Sequence, residues 1–108
     1  MAVAYKILGQ TIANATWATL YTTPANTSAV ISTIVVCNVS NATKTFRIGV
    51  METAGTPSTS GSLAYDTPVP ANDTIIMTLG ITMQASRFLR VYGSDANLGF
   101  TAFGSEIT

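Results

Sequence analysis

Histidine is absent from this 108-residue sequence, and cysteine occurs once, at Cys37. Histidine is the usual general base near neutral pH, so its absence excludes a Ser-His-Asp triad and a papain-like Cys-His pair. A single cysteine excludes an internal disulfide and a zinc cluster built on several thiolates. We therefore expect a non-enzymatic protein with no catalytic residues, no metal site and no cofactor.

Charge is the second shortage. Only 9% of the residues are charged, and five Lys and Arg balance five Asp and Glu, whereas an average soluble domain is about 25% charged. Nucleic-acid binding needs clustered basic residues, so we expect no nucleic-acid partner. Thr, Ser, Ala, Asn and Gly replace the missing charge. Two interpretations stay open on composition: a surface that meets other protein, or an extracellular β domain.

The carboxylates form no recognisable catalytic pair. Asp66 and Asp73 flank a proline-rich corner and could approach each other as a glycosidase requires. Asp73 and Asp95, however, lie in turns, where Asx side chains bond their own backbone. The sequence also lacks an apolar run near the ~20 residues of a membrane span, and its first residues lack a signal-peptide pattern. We expect no membrane association and no signal peptide.

Apolar residues that do occur alternate with a period of two, which is typical of half-buried strands. Phe46, Ile48 and Val50 fall on one face of such a segment, and Leu89 and Val91 on one face of another. Strands are predicted near residues 4–10, 16–22, 29–38, 44–51, 62–67, 73–81, 87–93 and 98–107. Eight short strands separated by turn residues predict an all-β fold. We expect one antiparallel β-sandwich over residues 1–108, jelly-roll-like or immunoglobulin-like.

Two departures from simple alternation are informative. Residues 29–37 are apolar on both faces, which predicts a central strand whose second face is covered, with a neighbouring subunit as one candidate. Cys37 ends this run and is predicted to behave as a small buried hydrophobe. Gly80 and Gly104 interrupt strand patterns and predict a bulge or a close backbone approach.

Aromatic residues supply the candidate contact surface. Most of the nine fit the inward phase of a strand and are predicted to be core. Trp17, Phe88 and Tyr92 fit it less well, and exposed aromatic residues are typical of interface cores. With Arg90 and the loop of residues 52–62, they are the candidate interface residues. The alternative use of Trp17 and the tyrosines is sugar binding.

Ordered blocks of the sequence resemble a family of small virion structural proteins of tailed bacteriophages. The resemblance covers nearly the whole chain, and its blocks are residues 5–10 (YKILGQ), 20–24 (LYTTP), 28–38 (SAVISTIVVCN), 45–48 (TFRI), 64–66 (AYD), 72–74 (NDT), 79–82 (LGIT) and 103–108 (FGSEIT). Residues 53–62 are neutral where the family often has a longer charged segment. Residues 87–90 (RFLR) replace a more acidic or neutral stretch. Both departures leave the choice of partner open.

The resemblance implies a particle component without enzymatic activity, assembled in the host bacterial cytoplasm and located in the virion. A capsid cement or decoration protein is the first expectation. It would self-associate as a homo-oligomer, with a trimer among the options, and contact the major capsid protein or tail proteins. A tail, neck, baseplate or fibre subunit is the first alternative. A carbohydrate-binding module for host-surface glycans is the second.

Overall fold

The computed structural model describes residues 2–55, 57 and 59–108. Its elements are β1 Val3–Ile12, β2 Trp17–Thr22, β3 Ser28–Asn38, β4 Lys44–Met51, a 3-10 turn Thr59–Gly61, β5 Ser62–Val69, β6 Thr74–Met83, β7 Phe88–Gly93 and β8 Leu98–Ile107. Every strand predicted from the sequence is present, with bounds that differ by two residues at most. The described residues contain no helix long and apolar enough to cross a membrane.

The strands form two four-stranded antiparallel sheets, ordered β1-β8-β3-β6 and β2-β7-β4-β5. Four antiparallel pairs, β1 with β8, β2 with β7, β3 with β6 and β4 with β5, are neighbours in these sheets. This is the winding of an eight-stranded jelly roll, and it differs from the strand order of an immunoglobulin domain. The predicted β-sandwich is confirmed, and of the two architectures left open the structure has the jelly roll.

The core lies between the sheets and follows the predicted alternation. Phe46 of β4 and Phe100 of β8 meet edge to face, with ring centroids 6.3 Å apart, which is a favourable geometry for two aromatic rings. The other large fully buried side chains are mostly aliphatic: Ile31, Ile34, Val36, Ile48, Val69, Met83, Leu89, Val91 and Leu98. Each contributes about 1.5–3 kcal/mol by leaving water.

Bulges cross the first sheet near the middle of its strands. The register shifts between Ile7 and Gly9 on β1 and between Ile31 and Thr33 on β3. On β6 the irregularity includes Gly80, whose φ of 63° is readily adopted by glycine. A Cβ on Gly104 would lie 2.0 Å from the Val30 carbonyl oxygen. The predicted roles of both glycines, a bulge and a close backbone approach, are confirmed.

The turn carboxylates have the local roles predicted for them. Asp73 Oδ1 accepts a hydrogen bond from the Thr74 N–H at 2.7 Å, and Asp95 Oδ1 accepts one from the Asn97 N–H at 2.9 Å. At the other end of the sandwich, Ala2 and Thr108 exchange two backbone hydrogen bonds. The first and last strands therefore lie side by side.

Candidate functional site

Among the residues that the structure describes, no cluster of side chains resembles a metal centre. No group of three or more His, Cys, Asp or Glu side chains suited to a metal ion occurs within residues 2–55, 57 and 59–108. Asp66, one member of the conceivable glycosidase pair, instead accepts a hydrogen bond from Arg47 Nε at 2.7 Å. Asp73 caps its own turn. The two broad outer faces of the sandwich are the remaining candidates.

The outer face of the β1-β8-β3-β6 sheet, here called the neutral face, carries apolar, Thr and Ser side chains. The register places them in rows across all four strands, for example Gln10, Thr101, Val35 and Ile76. Among the described residues, none of the charged side chains belongs to these rows. The face consists of Val3, Tyr5, Ile7, Gln10, Ile12, Val30, Ser32, Thr33, Val35, Cys37, Thr74, Ile76, Thr78, Thr82, Gly99, Thr101, Phe103, Ser105 and Ile107.

Several large apolar side chains of the neutral face are open to solvent. The exposed ones are Val3, Tyr5, Ile7, Ile12, Ile76 and Phe103. Tyr5 is 84% exposed and Ile76 is 67% exposed. Exposed apolar side chains that lie together on one face mark interaction sites.

The outward side of β3 explains the doubly apolar segment. Ile31, Ile34 and Val36 face the core and are fully buried, whereas Val35 and Cys37 face outward and are half-buried. Cys37 is thus not the buried hydrophobe that the sequence predicted, because its strand position points away from the core. Val35 and Cys37 therefore belong to the outer face, and their apolar side chains are not part of the core of this chain.

The outer face of the β2-β7-β4-β5 sheet, here called the arginine face, has a different chemistry. Trp17 and Tyr92 are cross-strand partners, with ring centroids 5.8 Å apart. The Arg47 guanidinium carbon lies 4.4 Å from the Tyr92 ring centroid and 4.1 Å from that of Tyr65. Hydrogen bonding to Asp66 raises the pKa of Arg47 above its ordinary value. This row combines cation–π contacts with an ion pair.

Arg90 lies on the same face but is only 8% exposed. Its Nη1 donates hydrogen bonds to the Ala54 carbonyl oxygen and to Thr19 Oγ1. Its Nε has no hydrogen-bond partner within the part of the chain that the structure describes. The loop of residues 52–62 therefore lies over Arg90, and this guanidinium is used inside the molecule. Positions 56 and 58 of that loop are outside the described residues.

The four candidate interface residues do come together. Trp17, Phe88, Arg90 and Tyr92 lie on the adjacent strands β2 and β7, on the arginine face. Trp17, Phe88 and Tyr92 are half-buried. Their role as contact residues stays a prediction, and for Arg90 the contacts in this structure are internal.

Sequence reasoning missed the neutral face. Tyr5, Tyr65 and Phe103 belong to the aromatic residues assigned mostly to the core, yet all three are exposed. One signal was present: Ile75 and Ile76 are consecutive, so a strand with one face in the core must place one of them outside. The alternation of Val3, Tyr5 and Ile7 around Ala4 and Lys6 gave no such signal, because a strand with these residues in the core has the same pattern.

An ion pair with a tyrosine joins the two sheets at one end of the sandwich. Lys6 Nζ lies 2.6 Å from Glu106 Oε1, and Tyr21 donates a hydrogen bond to Glu106 Oε2 at 2.5 Å. The Lys6 ammonium and then the Tyr21 hydroxyl lower the pKa of Glu106. Burial, with a smaller effect of Glu106, raises the pKa of Tyr21 well above its ordinary range. The pair is a structural clamp.

Comparison with known proteins gives a fold and no family. No protein-family model matches the chain, and no curated protein matches it. A chain in the structure of infectious bursal disease virus, Gx strain, is similar at a TM-score of 0.53 and 15% identity, over 97% of this chain and 31% of that one. A chain from the Gt strain is similar at 0.51 and 12%, over 97% and 32%. Such identities show the fold alone, and this chain spans about a third of those chains.

Proposed function

We propose that this protein is a non-enzymatic structural component of a tailed-bacteriophage particle, and within that particle a capsid cement protein. The observation that carries the proposal is the neutral face. A sheet-wide surface of exposed apolar, Thr and Ser side chains gains free energy by burial against other protein. Its described residues include no Asp, Glu, His, Lys or Arg.

Three further observations support a role in a virus particle. The jelly roll is shared with chains in the structures of infectious bursal disease virus. The sequence resembles small virion proteins of tailed phages over nearly its whole length. Most of its few charges are paired internally, because Lys6, Lys44 and Arg47 each contact a carboxylate. Little charge is therefore left to oppose close packing against a protein lattice.

A cement protein acts by covering joints between shell subunits, so that each copy adds apolar burial on several subunits at once. Binding at many equivalent positions raises the total stabilisation without strong single contacts. A tail, neck, baseplate or fibre subunit is the alternative within the particle, since the same surface chemistry suits either place.

Quantitative mass spectrometry of purified particles tests this proposal. We expect the protein in intact virions at a copy number comparable to that of the major capsid protein. A copy number equal to a small multiple of the tail symmetry would indicate that the protein is part of the tail. Absence of the protein from purified particles would overturn the structural role in either place.

The arginine face supports a second candidate, a module that binds host glycans. Trp17 offers a half-buried ring of the kind on which sugars stack. Arg47 already contacts the Tyr65 and Tyr92 rings, which reduces the free aromatic surface. A glycan array compares the wild-type chain with the Trp17→Ala variant. Binding that the substitution abolishes would favour this candidate, and an array without binding would eliminate it.

A further inference from the structure

We propose that the neutral face is a two-fold interface between copies of this chain, in which Tyr5 of each copy packs into a hollow on the other. The inference rests on the proposed function, because it names the contact through which a particle component self-associates. Three properties of the face favour a second copy of this chain as its binding partner: its charge, its area and its shape.

Charge separates the two outer faces. In a two-fold contact, the same surface is presented by both copies, so a charged group near the axis meets its own like charge. The rows of the neutral face hold no charged side chain among the described residues, and the adjoining Lys6 is paired with Glu106, so two copies can meet with little repulsion. The arginine face instead carries the charged pair of Arg47 and Asp66 on its surface. A strongly charged partner would leave its own charges buried and unpaired on the neutral face.

The area of the face is sufficient. Four strands of about ten residues cover about 19 × 33 Å, so full overlap of two neutral faces buries about 1,200 Å² in total over the two copies. This is the lower bound of a specific interface.

The shape of the face is complementary to itself. Tyr5 on the edge strand β1 is its most exposed large apolar side chain, at 84%. Tyr5 forms one wall of a shallow hollow of about 630 Å³, which Val30, Phe103 and Ser105 also line. If a two-fold axis lies in the interface between Tyr5 and this hollow, the Tyr5 ring of each copy fits into the hollow of the other copy. Lys6 reaches the rim of the hollow, where its ammonium is paired with Glu106.

Sedimentation equilibrium of the purified chain tests the interface, with three variants. Tyr5→Lys and Thr101→Lys each place a charge on the neutral face, at an exposed edge and on the central strand β8. Leu63→Lys places the same charge on the edge strand β5 of the other sheet, where Leu63 is also exposed. Circular dichroism and a thermal melt check that each variant is folded.

We expect a dimer for the wild-type chain and for Leu63→Lys. For a folded Tyr5→Lys or Thr101→Lys variant, we expect a dissociation constant about 100-fold higher or more, because each dimer would bury two unpaired charges. If one of these variants does not fold, the other carries the test. A wild-type monomer, a trimer, or a dimer that only Leu63→Lys disrupts would overturn the inference.

The outcome separates this inference from the proposed function. A chain that is monomeric in solution but abundant in purified particles would overturn the two-fold interface and leave the structural role intact. A dimer through the neutral face that is absent from particles would do the reverse.

Discussion

Asn38 shows how one polar side chain can hold three segments of this chain together. It is 1% exposed, at the end of β3. Its Nδ2 donates to the carbonyl oxygens of Ala42, Val69 and Pro70 at 2.8, 3.0 and 3.2 Å. Its Oδ1 accepts hydrogen bonds from the Ser40 N–H and hydroxyl. The turn after β3 and the end of β5 are thereby fixed to one point.

Replacement of Asn38 is expected to be costly. Asn38→Ala should lower the free energy of unfolding by about 2–3 kcal/mol, because buried carbonyl groups lose their donor. Asn38→Asp should be at least as destabilising at neutral pH, where its oxygens face carbonyl oxygens, and less so in acid, where the carboxyl can donate. Urea unfolding checks both.

The exposed Asn41 in the same turn is the control. Asn41→Ala should change the free energy of unfolding by less than about 0.5 kcal/mol. A similar loss for Asn38→Ala and Asn41→Ala would contradict the role of Asn38 as the buried junction.

At the scale of elements, β8 is the strand on which the first sheet depends. It lies between β1 and β3 and pairs with both over its whole length. Its two glycines meet different surroundings. A Cβ on Gly104 would collide with the Val30 backbone, whereas a Cβ on Gly99 would meet nothing within 4 Å.

These surroundings predict opposite effects of the same substitution on one strand. Gly104→Ala should destabilise the protein by about 2 kcal/mol or more, because the Val30 backbone must move away. Gly99→Ala should be neutral or stabilising by up to about 1 kcal/mol, since alanine loses less conformational freedom on folding. Thermal melts of both variants at one protein concentration make the comparison. Equal melting temperatures would contradict the close approach of β8 and β3.

The strand positions could be predicted from the sequence because they depend on local alternation and turn residues. Phe46 and Leu89 faced inward as that pattern predicts. The order in which the strands pair could not be predicted, because it is not local: β1 pairs with β8, and nearly the whole sequence lies between these two strands. Without the order, no pattern says which surfaces form one face.

Bulges account for most of what sequence reasoning missed at the site. Each extra residue reverses the inward and outward phase along its strand. Leu79 shares the phase of Ile75, Met77 and Ile81 in the sequence, but it lies within the irregularity on β6 and is exposed. The sequence showed that residues 29–37 are apolar on both faces of a strand, but it did not show which face packs in the core, because that depends on the fold.

At the scale of the whole molecule, the clamp of Lys6, Glu106 and Tyr21 links the two sheets and gives stability a pH window. The pKa of Glu106 is lowered from 4.5 in the folded state, so its contribution is present above that pH and is lost as pH falls. The pKa of Tyr21 is raised from 10.0, so its contribution is present below that pH and is lost as pH rises.

We therefore expect a melting temperature that falls in acid below about pH 4.5 and in alkali above about pH 10. Tyr21→Phe should lower the free energy of unfolding at neutral pH by about 1 kcal/mol through the lost hydrogen bond. The substitution should also reduce the loss of melting temperature above about pH 10. Melts across the pH range test this.

Tyr65→Phe is the matched variant for these melts, because it keeps its ring beside Arg47 and is remote from Glu106 in the sequence. It should retain the alkaline fall of the wild-type chain. An unchanged alkaline fall in Tyr21→Phe would assign the effect to another group.

The adjacency of Ala2 and Thr108 has a mechanical consequence. Because β1 and β8 are antiparallel and Ala2 lies beside Thr108 at one corner, a force that pulls these two residues apart loads one hydrogen-bonded rung at a time. Strands loaded in this way unzip, whereas strands pulled along their length must break many rungs together. The jelly roll is therefore weakest to tension applied at Ala2 and Thr108, and a load-bearing attachment suits its broad faces better than this corner.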